Sequence, residues 1–311
     1  MNSKSMDPGL GEKYLSKASR SINQDGSFNI HRTGAKFHYK DLYQKLINMS
    51  WSKFLGLAFS GYAAANLLFA SIYYLLGSGS LIGSHDGTGH ETFFDGIFFS
   101  VQTLTTVGYG GIIPRGILAN VVAGIEAMTG LLAFALITGL LYGRFSKPSA
   151  RILYSRKMII APYFGKNALM FRVANQRSTN LMELEAKVLF SYIDFSEKEQ
   201  PRRYPELRLE RSSVYFFPLN WTIVHPIDVE SPLFGKTAKE LEDMHAEFLI
   251  LIKGFDDTFS QVVHSRFSYR HDEVIWGAKF TKAYSTDESG RIVFDIRNTH
   301  NYIPSALNTT L

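Results

Sequence analysis

The chain reads as an α+β protein of two unlike parts. A helical hairpin crosses a membrane twice with a re-entrant helix between its arms, and a β-sandwich of immunoglobulin-like shape follows. Three observations carry this. Phe54–Leu76 runs 23 residues without a charge, and Ile117–Leu141 runs 25 with one, Glu126. A shorter apolar piece, Glu91–Thr103, lies between them. Beyond residue 158 the sequence changes to short β-branched and aromatic runs punctuated by turn residues.

The elements follow in order. Residues 1–35 are polar and without sustained periodicity, an N-terminal tail. Over residues 36–50, Tyr39, Leu42, Tyr43, Leu46 and Ile47 share one helical face, opposite Lys40, Asp41, Gln44 and Lys45. An amphipathic helix ending at Trp51, where a membrane span begins, is expected to lie in the interface. Residues 51–146 form the membrane domain. Each uncharged window covers roughly 35 Å as helix, enough for a hydrocarbon core of about 30 Å. Residues 1–53 carry nine Lys/Arg against four acids, and residues 144–157 carry five and none. Positive charge flanking both spans places both termini in the cytoplasm, an in–out–in hairpin. Glu91–Thr103 is too short to cross, so it enters, stops and returns as something other than helix.

The returning piece is Thr105-Thr106-Val107-Gly108-Tyr109-Gly110-Gly111. A phosphate loop would need glycine where Ile113 stands, and no strand precedes it. A dehydrated cation needs oxygen ligands weak enough to release it, which backbone carbonyls supply. Aligning successive carbonyls needs alternating left- and right-handed residues, and Gly108 and Gly110 adopt the left-handed form freely. Thr106 adds a hydroxyl at the inner end, while Val107 and Tyr109 point away from the axis. The carboxyl end of the preceding helix favours a cation. One chain supplies one strip, so a ring requires a symmetric oligomer.

Residues 147–311 hold the β-domain and a C-terminal tail. "MIIAPYFGKNALMFRVAN" reads as a hairpin turning at Gly165-Lys166. "AKVLFSYID", "SSVYFFPLNWTIVHPI", "FLILIKGF" and "RIVFDI" are further strand-like runs, "STDESG" is a turn cluster, and only Ala238–His245 reads as helix. The exclusions are equally direct. There is no cysteine, hence no disulfide or thiolate metal site. A net charge of +5 is too modest to argue for nucleic acid. Nine histidines lack metal-ligand spacing, no nucleophile–base constellation marks an enzyme, and no cofactor is expected.

Thr106-Val107-Gly108-Tyr109-Gly110 resembles the potassium selectivity filter, and that resemblance names the ion. "GRFSKPSARILYSRKMIIA", "LMFRVANQRSTNLMELEAKV", "WTIVHPIDVESPLFG" and "EVIWGAKF" resemble the cytoplasmic domain of inward-rectifier potassium channels, closely its bacterial branch. The resemblance covers roughly residues 35–304 and implies a homotetramer in the inner membrane, with potassium held at Thr106, Val107, Gly108 and Tyr109. Eukaryotic members carry a cysteine pair beside the pore, absent here. Their pore-helix glutamate and post-filter arginine correspond to Gln102 and Ile112, so that ion pair is missing.

Phe134, Thr138 and Tyr142 share a face of the second span and are read as gate residues, Tyr142 foremost; helix packing is the alternative for Phe134 and Tyr142. The resemblance puts Phe134 where strong rectifiers carry an acid, which implies weak polyamine block, and makes Gly130 the hinge. Gly124, Gly139 and Gly143 equally suit close packing. A lone carboxylate in a span faces protein at a cost of about 3 kcal/mol otherwise. Glu126 is therefore read, with Gln102, as a support behind the filter, or else as part of the ion path. Lys53, Arg144, Lys147 and Arg151 suit anionic headgroups, although topology alone explains such charges. Arg144 and Lys147 match phosphoinositide positions, while two further lysines of that pattern are Ser149 and Ala150 here; bacterial relatives imply inhibition by such lipids. Asn48-Met49-Ser50 and Asn308-Thr309-Thr310 match glycosylation acceptors but fall on the cytoplasmic side. The competing function is a non-conducting membrane sensor whose β-domain binds a ligand.

Overall fold

A computed structural model divides the chain into two compact units, residues 34–147 and a second built from residues 1–33 with 148–311. It describes residues 8–10, 20–31, 33–34, 41–77, 79–83, 89–147, 150–177, 180–198 and 201–308, with 89–92 described in backbone only. Tyr39, Lys40, Ser149, Thr309 and Thr310 lie outside the described residues.

The first unit runs α1 (Leu42–Asn48), α2 (Trp51–Leu76), β1 (Leu81–Ile82), α3 (Gly89–Leu104), β2 (Ile113–Pro114) and α4 (Gly116–Phe145). At 26 and 30 residues, α2 and α4 extend about 39 and 45 Å, enough to cross a bilayer core. Neither buries much of itself within one chain, as expected of helices whose apolar surface meets lipid or other copies. Phe69 and Tyr73 of α2, Phe99 and Leu104 of α3 and Leu81 of β1 form the local core. β1 and β2 pair antiparallel on either side of α3 and the strip. At its carboxyl end the interfacial helix stops at Asn48, before the expected boundary. Met49 and Ser50 are extended, and the Ser50 carbonyl accepts the Phe54 amide at 3.0 Å, so Trp51 opens α2 instead of closing α1.

In the second unit the strands are β3 (Ile152–Tyr154), β4 (Met158–Tyr163), β5 (Lys166–Asn175), β6 (Leu181–Ile193), β7 (Arg202–Arg203), β8 (Ser213–Phe216) and β9 (Asn220–Ile227). After α5 (Ala238–Asp243) come β10 (Glu247–Asp256), β11 (Gln261–Arg270), β12 (Val274–Trp276), β13 (Ala278–Phe280), β14 (Tyr284–Thr286), β15 (Ile292–Phe294) and β16 (Tyr302–Pro304). One sheet has the order β11-β10-β6-β7 with β8 also on β6; the other has β12-β4-β5-β3 with β9 also on β5. Phe171, Val173 and Ile223 of one sheet and Val188, Phe190, Phe248 and Ile250 of the other share one core, so the sandwich is closed by burial from both faces.

The expected hairpin at Gly165 is present, as is the expected helix, here Ala238–Asp243. Thr237 and Glu240 form a reciprocal capping box at its start. The run 212–227 splits at Pro218 into β8 and β9, which pair with different sheets. Residues 20–30, part of the expected tail, are docked. Ser21 donates its amide (2.9 Å) and hydroxyl (2.7 Å) to the buried Glu247 carboxylate, which also faces Arg202 at 3.8 Å. Ile22 is buried beside Tyr204 and Leu249, its carbonyl takes the Ser268 hydroxyl, and Arg20 pairs with Glu273.

Candidate functional site

α3 ends at Leu104 and the chain then turns back on that end. Three successive amides converge on one residue: Val107 (2.9 Å) and Gly108 (3.1 Å) donate to the Gln102 carbonyl, and Tyr109 donates to Gln102 Oε1 at 3.1 Å. With every amide of 107–109 drawn to one side, the carbonyls must face the other. Among the described residues, no hydrogen bond uses the carbonyls of Thr106, Val107, Gly108 or Tyr109. The backbone alternates as that arrangement demands. Gly108 has φ +57° and Gly110 +81°, while Val107 before them and Tyr109 between them stay at negative φ. Thr106, at φ +57°, continues the alternation by one step, which the sequence reading did not foresee because threonine resists this conformation. Its amide N–H donates a hydrogen bond to the Thr103 carbonyl at 3.0 Å, which helps hold it there.

Gln102 is buried and uses both ends of its carboxamide. Besides accepting from Tyr109, it donates Nε2–H to the Ile112 carbonyl at 3.0 Å. The positions that lack an ion pair are thus joined by a neutral hydrogen bond. Glu126 on α4 is fully buried and accepts from the Tyr73 hydroxyl of α2 at 2.8 Å and from the Ser100 hydroxyl of α3. One carboxylate therefore ties all three long helices together. The sequence named Glu126 but neither partner. The usable signal was that a lone acid in a span needs donors on its neighbours, but α2 and α3 hold several hydroxyls each, so the sequence did not single out Tyr73 and Ser100.

Gly130 sits where α4 crosses the end of α3. A Cβ there would lie 1.9 Å from the Leu104 carbonyl oxygen, so the position needs glycine for close approach. Gly124 and Gly139 have nothing within 4 Å of such a Cβ. Phe134, Thr138 and Tyr142 are exposed on one face of an unbroken α4, at 72 % and 74 % for the two aromatics. An open cleft of about 640 Å³ runs between α2 and α4 beneath the strip, lined by Tyr62, Thr106, Thr129 and Phe134 among others. Lys53, Lys147 and Arg151 are exposed, whereas Arg144 is half-buried and turned towards α1. In a single chain Gln102 is held against the strip and Glu126 between α2 and α3, while the face of Phe134, Thr138 and Tyr142 and the strip's outer side chains are uncovered.

Two spanning helices, a re-entrant helix and a strip of bare carbonyls define a membrane protein of the ion-channel class. The family model described as "Ion channel" matches residues 44–147, and that of the "Inward rectifier potassium channel C-terminal domain" matches residues 152–309. The inward rectifier potassium channel Kirbac3.1 of Paramagnetospirillum magnetotacticum is 38 % identical over 93 % of this chain and 98 % of its own. The mouse G protein-activated inward rectifier potassium channel 3 is 26 % identical over 86 % of this chain and 74 % of its own. The Caenorhabditis elegans inward rectifier potassium channel irk-1 is 25 % identical over 88 % and 54 %. The chain belongs to the inward rectifier potassium channel family.

Proposed function

We propose that four copies of this chain surround one axis and conduct potassium passively and selectively, with the carbonyls of Thr106, Val107, Gly108 and Tyr109 and the Thr106 hydroxyl replacing the ion's water. The observation that carries this reading is the convergence of the 107–109 amides on Gln102, which leaves a row of carbonyls without partners among the described residues. Such oxygens are strong acceptors that need a ligand when dehydrated, and they release a monovalent cation more readily than carboxylates do. The exposure of Tyr109 (84 %) and Phe134 fits a strip and a helix face covered only in an assembly.

In this reading both termini lie on the cytoplasmic side of the cell's inner membrane. Tyr142 forms the inner constriction, Phe134 narrows the cavity above it and Gly130 is the hinge. The exposed Lys53, Lys147 and Arg151 meet anionic headgroups, and phosphoinositide inhibits. Rubidium uptake into liposomes holding the purified protein tests the whole. Uptake blocked by barium, with potassium strongly preferred over sodium and four chains per particle, is the expected result. A protein that takes up no rubidium under any condition, with or without anionic lipid, is a membrane sensor and not a channel.

A further inference from the structure

The sequence places Arg144 against lipid headgroups, yet its guanidinium is spent inside the protein. Nη1 donates to the Leu46 carbonyl and, at 3.2 Å, to that of Ile47; Nη2 donates to the Met49 carbonyl at 2.7 Å. The charged carbon lies 4.6 Å from the Trp51 ring centroid and 4.5 Å from that of Phe54, on the first turn of α2. Trp51 in turn lies 5.2 Å from Phe145, the last residue of α4. Beside it, Gly143 is the seat of α1: a Cβ there would stand 3.0 Å from Tyr43 Oη and 3.1 Å from Ile47 Cδ1. Lys147 Nζ donates to Asn48 Oδ1.

These contacts have one physical theme. The last carbonyls of a helix have no partner within it and carry partial negative charge, which a cation satisfies. A planar guanidinium donates to several carbonyls in fixed directions while its faces stack on aromatic rings, a geometry that the compact ammonium of a lysine lacks. At seven residues α1 is too short to hold its own helix, so it depends on this docking.

We infer that Arg144 is a latch, a positioning residue that fastens the carboxyl end of α1 and the α1–α2 elbow to the last turn of α4, so that α1 and the Tyr142 end of α4 move as one. The coupling to conduction rests on the channel reading above; the fastening does not. The chain has no cysteine, so a single pair can report on the fastening. Ile47 Cγ1, where a cysteine sulfur at 47 would stand, lies 3.8 Å from an ideal Cβ at 143, so a small rotation brings the two thiols together; Ile47→Cys removes Cδ1, and the flexible end of Tyr43, 3.0 Å away, must shift. The rate at which Ile47→Cys/Gly143→Cys bridges is measured in the full-length protein in phosphatidylcholine liposomes, alongside rubidium flux. Replacing Arg144 by Met is expected to slow bridging about tenfold, the order expected for a partly buried cation at a helix end. Arg144→Lys, which keeps the charge and loses the fork, falls between and serves if the Met variant misfolds. Closing the bridge and removing Arg144 should move the flux in opposite directions. Bridging at an unchanged rate without Arg144, or flux moved the same way by both changes, overturns the latch. So does bridging that ignores Arg144 and follows added anionic lipid, which returns the residue to the headgroups. If the parent protein shows no flux while bridging of the cysteine pair still depends on Arg144, the channel reading sinks and the fastening stays in place.

Discussion

Gln102 shows how much one side chain decides at the residue scale. Its carbonyl and carboxamide collect three successive amides of the strip, and its Nε2–H reaches past them to Ile112. Sequence comparison marked positions 102 and 112 as a lost ion pair. The structure joins the same two positions with a neutral hydrogen bond, which needs only a backbone carbonyl at 112. Gln102→Leu should leave the Tyr109 amide and the Ile112 carbonyl unpaired, at about 1–3 kcal/mol each. The expected outcome is a fall in the potassium-to-sodium permeability ratio, read from reversal potentials. Gln102→Glu, which still accepts from Tyr109 but no longer donates when ionised, should be affected less. An unchanged ratio in the Leu variant removes Gln102 from the support of the strip. Thr106 was legible as an oxygen donor but not as a left-handed residue. Propensity argues against that conformation, and the turn at the end of α3 overrides it.

Among the elements, the crossing of α3 and α4 is set by the missing side chain at Gly130. Backbone lies so close that Gly130→Ala should separate the helices or displace the end of α3, from which the strip hangs. Overpacking of this kind costs typically about 1–3 kcal/mol. Thermal unfolding of the variant in detergent should therefore fall below that of the parent, while Gly139→Ala, with open space around it in the helix interior, should match or exceed the parent. Equal stability for both would deny Gly130 its packing role. Long apolar helices were readable because their composition is extreme; both spans and the re-entrant helix appear within a few residues of their expected ends. Short elements were not. β11 breaks the two-residue alternation, with Val262 and Val263 adjacent and His264, Ser265 and Arg266 in a row, so only its ten-residue pairing with β10 identifies it. The end of α1 is decided by what it docks against.

At the scale of the whole molecule, acid stability of the β-domain follows from a buried imidazole. His225 Nδ1 lies 2.7 Å from the Arg208 carbonyl, which can only accept, so Nδ1 carries the proton and Nε2 accepts from the Ser231 hydroxyl at 2.8 Å. That hydroxyl already accepts the Leu233 amide. Burial holds the His225 pKa below its ordinary 6.5. The unfolded chain therefore takes up the proton first, and stability present above 6.5 is lost as pH falls below it. The slope from this site is at most about 1.4 kcal/mol per pH unit. His225→Gln should flatten that slope in thermal unfolding of the full-length protein between neutral pH and mild acid, and an identical profile would contradict the assignment. Docking of residues 20–30 on Glu247 belongs to the same scale, since it joins segments more than two hundred residues apart. By itself the sequence determined what short-range chemistry controls: two spans from uncharged length, a carbonyl strip from paired glycines, a β-domain from its runs. Only the tertiary structure decided the partners of lone polar groups, namely Gln102 with Tyr109 and Ile112, Glu126 with Tyr73 and Ser100, and Arg144 with the end of α1. A buried charge or amide must be satisfied, but which distant group satisfies it depends on where the chain returns.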